Sequence, residues 1–512
     1  MAVSTSASGR FQQLEAARNG FIARCELYAS YTLPKLCLPK GYDQNSSELS
    51  RDFQSVGAQA VNHLANKIML AGFAPSRPFF RTDASATTAK ELEALGVDTE
   101  ALAQQLAKAE KAAVKLLDSK AMRPKLYEVI KHLIVTGNVL LTLEADARVI
   151  GIKKYVARRS ASGKLLELLI ADKVQFDELE PAVQDAVFAK AKYASDREVT
   201  LYRWVTRNRD GDYEMVQWVD AIQLGQEFYG KWPEKDLPFR VLTWDLSDDA
   251  HYGTGLVEDY KGDFAGLSTL TRSQVIGAVL ASEFRWLVNP AGMTRVEDFE
   301  QSENGSALPG AEGDIVLLEG SKSQDLQVTM AMSQEYVTRI GRGFLLASTM
   351  VRDAERVTQE EIRLIANELE TSLGGAYSRL AVDLQLPLAY WLMRDIGLGV
   401  DGNQFVPSIV TGLEALSRTG DLEELKMWLA DMAAVAQLPP ELLQRLDTTK
   451  IAAALGAPRR IDVSAYMKSP EELAAEQQQM AAQQQQMMAS QAGADAGAGI
   501  AIEQAKQGQV PA

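Results

Sequence analysis

Residues Val357 to Met393, VTQEEIRLIANELETSLGGAYSRLAVDLQLPLAYWLM, carry one apolar stripe from end to end. Ile362, Ile365, Leu369, Leu373, Tyr377, Leu380, Leu384, Leu388 and Trp391 recur in steps of three and four, which fits a helix and no strand. Thr358 and Glu361 have the spacing of a capping box, in which hydroxyl and carboxylate each satisfy an amide of the first turn. At 1.5 Å per residue such a helix is roughly 55 Å long, about twice the diameter of a small domain. Two features interrupt it. Gly374 and Gly375 give up helix propensity, and Pro387 removes an amide and crowds the carbonyl of Asp383. The stretch predicts a long helix with a kink.

The whole chain of 512 residues is long enough for about three domains and a sizeable core. Its 53 Lys and Arg against 68 Asp and Glu leave a net charge of −15, which argues against tight nucleic-acid binding through a broad basic face. Cys25 and Cys37 are too few for a disulfide scaffold or a metal site, and are expected as reduced thiols. No signal peptide and no apolar run of membrane-spanning length is visible, so a soluble protein with no membrane partner is expected.

Outward from the long helix, the pattern changes period several times. Phe11 to Ala74 reads as helical with a break at TLPKLCLPKGY, and Val56, Ala60, Leu64 and Ile68 share one face. Further helices are expected from Thr99 to Asp118 and over KLYEVIKHLIVTGN, the latter stopped by Gly137-Asn138. Val139 to Leu246 reads mainly as a meandering antiparallel sheet. Its strands are VLLTLE, IKKYVARR, EVTLYRWVTR, YEMVQWVDAIQL and VLTWDL, with an Asp-Gly hairpin at Asn208 to Asp212 and one helical interruption near ELEPAVQDAVFAKA. A helix from Leu256 to Ala281, a turn-rich insertion and a helix from Ser333 to Thr349 make a stalk, followed by the polar junction MVRDAER. After Pro407 a small helical domain and a Gln-, Met- and Ala-rich tail remain. The fold class is α+β, predominantly helical.

The chemistry-bearing motifs are weak. Gly225 to Trp232 has the G-x4-G-K spacing of a phosphate loop, but lacks the following Ser or Thr, and Pro233 opposes a helix there. Asp248, Asp249 and His251 fit a polar turn before Tyr252-Gly253-Thr254-Gly255 better than a metal site, and His63 and His132 lack HExxH spacing. Glu360 and Glu361 suit a helix N-terminus. No catalytic site, cofactor or metal is expected, and the chain reads as no enzyme. Arg339, Arg342, Arg352 and Arg356 bracket the polar junction, where side chains could reach a channel or phosphate.

ERVTQEEIRLIANELETSLGGAYSRLAVDLQLPLA closely resembles the stretch after the tunnel loop in portal (head-to-tail connector) proteins of short-tailed, T7-like bacteriophages. YTLPKL, FQSVGAQAVNHLANKIMLAGFAP, VTGNVLL, HYGTGLVEDYKGD, LVNPAGMT and TGLEALSR agree with it in the same order, from about residue 11 to 420. The resemblance implies a portal fold assembled as a homo-oligomeric ring, usually a dodecamer, around a central channel. By that resemblance residues 1–255 form the wing, 256–282 and 331–349 the stem helices, and 283–330 the clip. Residues 350–356 then form the tunnel loop, 357–400 the long kinked wing helix, 401–470 the crown and 471–512 the tail.

The implied function is passage of double-stranded DNA, without sequence preference, through one capsid vertex during packaging and ejection. The implied partners are the major capsid and scaffolding proteins, the terminase large subunit, and then the tail adaptor and internal core proteins. The implied location is the virion head-tail junction, with assembly in the host cytoplasm. Met350, Arg352, Arg356 and Arg342 become candidate channel residues, and Gly374, Gly375 and Pro387 the candidate kink. Two alternatives stay open on residues alone, a non-viral oligomeric scaffold with long helices and a nucleotide hydrolase using Gly225 to Lys231.

Overall fold

The computed structural model describes residues 6–43, 47–49, 52–74, 78–84, 99–144, 146–282, 285–303, 305–318, 323–346, 371–397 and 405–409, with scattered positions elsewhere. The chain divides into two compact units, Met1–Glu414 and Ala415–Ala512. The second is described only at helical positions between Met427 and Ala433, where Trp428 is buried.

The first unit opens with α1 (Ala7–Ala17) and α2 (Asn19–Tyr31). The Ser6 hydroxyl caps α1 by accepting from the Gly9 amide at 3.3 Å. A 3-10 turn at Pro34–Leu36 occupies the expected break before α3 (Val56–Gly72), whose Ala60, Leu64 and Ile68 are buried. Strand β1 (Phe80–Ala84) precedes α4 (Thr99–Ser119) and α5 (Met122–Thr136). Gly137 ends α5 at φ +71, a left-handed value that favours glycine, and its amide donates to the Leu133 carbonyl at 3.0 Å.

The stretch from Val139 to Leu246, expected as one meandering sheet, forms two. β2 (Asn138–Thr142) and β3 (Arg148–Gly151) lead into β4 (Tyr155–Arg159) and β5 (Leu165–Gln175). After α6 (Pro181–Phe188) come β6 (Glu198–Arg207), β7 (Tyr213–Val219), β8 (Ile222–Gln223), β9 (Gly230–Trp232) and β10 (Phe239–Thr243). One antiparallel sheet has the order β10-β2-β3; the other runs β4-β5-β6-β7-β8, with β9 also on β7. Ile152–Lys154, expected as strand, is a 3-10 turn that carries the chain between the two. The Asp-Gly signal gives the β6–β7 hairpin, with Gly211 at φ +95.

The helix expected from Leu256 to Ala281 is broken at Tyr260 into α7 (Leu256–Asp259) and α8 (Lys261–Ser282). β11 (Arg285–Val288), α9 (Val296–Glu300) and β12 (Ile315–Leu318) form the insertion, in which β11 and β12 pair antiparallel. Asp314 knots it by accepting from the amides of Ala311, Met293 and Thr294. α10 (Ser323–Gly343) returns antiparallel to α8: the Tyr260 and Phe344 rings lie 5.5 Å apart, and Gln274 donates to the Ser333 hydroxyl at 2.6 Å. This helix begins ten residues before the expected Ser333 and stops short of Thr349. Its first turns leave Val328, Met330 and Met332 exposed, so no buried stripe announces them.

Beyond the junction come α11 (Gly375–Leu380), a π-turn at Ala381–Gln385 and α12 (Leu386–Asp395). β13 (Phe405–Ile409) pairs with β1, so a boundary at residue 401 would detach a strand from its own sheet. Pro407 is tolerated there because each strand of a two-stranded sheet has a free edge. The main core joins α3, α5, the three-stranded sheet and α12, with Leu64, Ile130, Leu140 and Leu392 fully buried. Each such side chain contributes about 2 kcal/mol of transfer free energy.

Candidate functional site

Segments far apart in sequence but jointly characteristic of this chain meet in pairs. YTLPKL meets the start of α3, where Gln54 Nε2 donates to the Tyr31 carbonyl at 2.7 Å. A Cβ on Gly57 would lie 2.2 Å from that carbonyl oxygen, so the approach requires glycine. VTGNVLL meets HYGTG in the same manner. Asn138 Nδ2 donates to the Gly253 carbonyl at 2.7 Å, and its Oδ1 accepts from the Gly253 amide at 2.8 Å. Asn138 is fully buried, so these bonds replace water that it cannot reach.

The same body fixes both ends of the junction between α10 and the long helix. α10 ends in a turn in which Phe344 is buried against Phe264 and Leu345 sits at φ +56. The Leu345 carbonyl accepts from His63 Nε2 at 3.1 Å and from Lys67 Nζ at 3.0 Å, both on α3. The same Lys67 ammonium donates to Glu368 Oε2 at 2.9 Å, on the far side of the junction. Lys67 is fully buried, and an isolated ammonium there would be strongly unfavourable; the carboxylate and the carbonyl offset that. Burial first, and then the Lys67 charge, push His63 below the ordinary histidine value, which keeps it a neutral donor to Leu345. One turn further along α3, the Gly72 carbonyl accepts from Gln385 Nε2 of the π-turn at 2.9 Å. One helix therefore holds the end of α10, Glu368 and the π-turn.

Of the candidate residues, Arg342 lies in the last turn of α10 and is exposed. Met350, Arg352 and Arg356 lie outside the described residues, as do Glu360 and Glu361. Arg339 pairs with Asp263 at 3.7 Å and with Glu335, an arrangement of the helix surface. Gly374 adopts φ +50 and separates helical Leu373 from α11, which Gly375 begins. Pro387 lies in the first turn of α12, immediately after the π-turn, where the extra residue relaxes the hydrogen-bond ladder that a proline would otherwise clash with. Lys67 was not a candidate. It lies in the apolar run ANKIML with its acid partner three hundred residues away, and no local pattern marks it.

The remaining motifs take structural roles. Gly225 to Lys231 runs through a 3-10 turn into β9, with no helix N-terminus to hold phosphate, and Lys231 faces Asp212 and Glu214 at 3.6 and 3.8 Å. Asp249 takes φ +58 in the expected turn, and His251 Nδ1 accepts from the Arg159 amide at 3.4 Å. His132 is buried beside Glu128 at 3.8 Å. Cys25 and Cys37 are free and buried, and burial pushes the Cys37 thiol up to about 11. Among the described residues no helix is long and apolar enough to cross a membrane.

A family model described as bacteriophage head to tail connecting protein matches residues 4–462. The chain is 34% identical to the portal protein of Enterobacteria phage SP6 over 440 residues, covering 85% of this chain and 84% of that one. It is 33% identical to the portal protein of Pseudomonas phage phiKMV over 479 residues, covering 91% and 92%. With the portal protein of Escherichia phage T7 it shares 31% identity over 481 residues, covering 90% and 88%. Matches of this extent leave no place for the non-viral scaffold reading, and the chain belongs to the bacteriophage head-to-tail connecting family, the portal proteins.

Proposed function

We propose that this chain is the subunit of a ring, a dodecamer in the virion, that joins the capsid to the tail and conducts double-stranded DNA through its central channel. The observation that carries the reading, beside family membership, is where apolar surface is left uncovered. Twelve of the nineteen exposed large apolar side chains among the described residues fall between Val275 and Met332, on α8, the insertion and α10. Solvent-facing apolar surface of that extent calls for a neighbour, and ring closure supplies one. The acidic balance of −15 suits a conduit, because each phosphate contact would raise the barrier to the next step of a sliding duplex.

In this reading α8 and α10 are the stem and residues 283 to about 322 the clip, a boundary moved from 330 because α10 starts at Ser323. The crown begins near Ala415, after β13, rather than at 401. Terminase, then adaptor and core proteins, are the partners that dock, and hydrolysis of ATP belongs to the motor rather than to this chain. The interruptions at Gly374 and the π-turn let the long helix lie radially across the ring. Arg352 and Arg356 line the channel and act on DNA retention. Electron microscopy of the purified protein is expected to give channelled rings; extended dimers would refute the assembly. Particles carrying Arg352→Ala and Arg356→Ala are expected to lose packaged DNA more readily, and parental retention would refute the channel role.

A further inference from the structure

We propose that a cavity between the sheets and the interrupted helix binds a small multivalent oxyanion of the inorganic phosphate class, held by Arg159, Arg240 and Arg379. The cavity has a volume of about 390 Å³, ample for a phosphate and far too narrow for a duplex. Its walls come from the end of β4, the β4–β5 turn, β10, α11 and the π-turn. Arg159, Lys164, Arg240 and Arg379 line it, against only Glu234 and Asp383. Glu234 is already paired with Arg207 at 3.0 Å. Four cations therefore face one uncommitted carboxylate.

The arginines are held, but not neutralised. Arg159 spends its terminal nitrogens on the carbonyls of Gly163 and Val241, at 2.8 and 2.7 Å. Arg240 does the same with the carbonyls of Glu234 and Lys235, at 3.4 and 2.5 Å. Carbonyls fix the orientation of a guanidinium without supplying a counter-charge. The Nε atoms of both side chains are buried with no hydrogen-bond partner. Among the described residues neither arginine forms an ion pair with a carboxylate, and Arg379 forms neither a hydrogen bond nor an ion pair. Burial lowers Arg159 and Arg240 below the ordinary arginine value and outweighs the opposing charges of Asp383 on both and of Asp236 and Glu234 on Arg240. A divalent oxyanion would supply the missing charge and several acceptor lone pairs at once.

The site would also have a mechanical consequence. Arg159 and Arg240 stand on strands of different sheets, whereas Arg379 belongs to α11, the segment between the Gly374 break and the π-turn. An oxyanion contacting all three would pin that segment to both sheets.

The test is calorimetric titration of the full-length protein with inorganic phosphate, with potassium chloride at matched ionic strength as reference. Saturable binding to phosphate and none to chloride is expected. Arg379→Gln is the informative variant, because that side chain supports no other bond; it is expected to raise Kd about tenfold or more. Arg394→Gln, which breaks only the pair with Asp236 outside the cavity, is expected to bind like the parent. No saturable binding to the parent would overturn the proposal, and so would unchanged binding by Arg379→Gln. If Arg379→Gln fails to fold, Arg240→Lys serves in its place, and phosphate affinity equal to the parent's would overturn the proposal.

Discussion

The hub around Asn138 and the antiparallel pair of α8 and α10 satisfy their surfaces in opposite ways. In the hub the backbone packs on itself: a Cβ on Gly137 would lie 2.5 Å from the Gly255 nitrogen, and one on Gly253 2.5 Å from the Asp245 carbonyl oxygen. The helix pair packs only its facing stripe, with Phe264 and Ile340 buried, and leaves Val279, Val328 and Met330 open to solvent. The difference teaches that subunit folding and assembly reside in separate places. A change in the hub should unfold the subunit whatever its neighbours do, whereas a change on the outer face of the pair should be silent until a neighbour is present.

The strongest way to break this comparison is Gly255→Val. A Cβ there would lie 2.7 Å from the Gly137 nitrogen and from the Ile134 carbonyl oxygen, all backbone atoms that cannot move aside. The expected destabilisation is on the order of 4 kcal/mol or more, seen as insoluble or molten protein by near-ultraviolet circular dichroism. A soluble variant with the parental melting temperature would show that the hub is not the foundation described.

How much of this was legible depended on whether the deciding interaction was local. The glycine break at Gly374 and the Asp-Gly hairpin are written in consecutive residues and appear in those places, and the long helix is described at Ile365, Glu368, Leu369 and from Thr371 onward. β5 was not read, because LLELLIADKVQ is leucine-rich and only partly alternating, and its strand character comes from pairing with β4 and β6. The division into two sheets hangs on a short 3-10 turn whose residues, Ile152–Lys154, extend a plausible strand. The junction contacts escape for a different reason. Lys67 and Glu368 meet only after folding, and the cavity draws Arg159, Arg240 and Arg379 from three separate segments. The portal family was readable because several short segments recur in order, which is information about the whole chain rather than about any one contact.

Glu167 sharpens the comparison on the side of the body, with a smaller effect. Its buried carboxylate accepts from Arg10 at 2.6 and 2.9 Å, from Arg158 at 3.1 Å and from Trp204 at 3.1 Å. Burial alone would raise this carboxyl, but the hydrogen bonds and charges of Arg10 and Arg158 outweigh it and hold the group below the ordinary glutamate value. A depressed carboxyl contributes stability that is fully present above its unfolded value and is lost as the pH falls through the lower, folded one. Glu167→Gln is expected to lower stability at neutral pH by about 3 kcal/mol, mainly by stranding Arg10 and loosening α1 from the sheet. The difference between variant and parent should shrink on acidification. A gap that stays constant from neutral to acidic pH would mean that the charge of Glu167 is not what holds α1.

The smallest expected effect on the subunit belongs to the outer face of α10. Val328 and Met330 are 60% and 63% exposed, so their side chains contribute little to the fold of one chain. Replacing both, Val328→Ser with Met330→Ser, should change subunit stability by no more than about 0.5 kcal/mol, the range of surface substitutions that touch nothing buried. The same two changes remove apolar area that, in the proposed ring, another copy would cover. In a closed ring each interface repeats around the circle, so a modest loss per contact multiplies with the number of subunits. Urea unfolding of dilute protein should therefore give parental midpoints while sedimentation velocity shows rings replaced by small species. Parental rings would mean that this face meets solvent in the assembly. A lowered urea midpoint would mean that α10 is packed within its own chain more tightly than its exposure indicates.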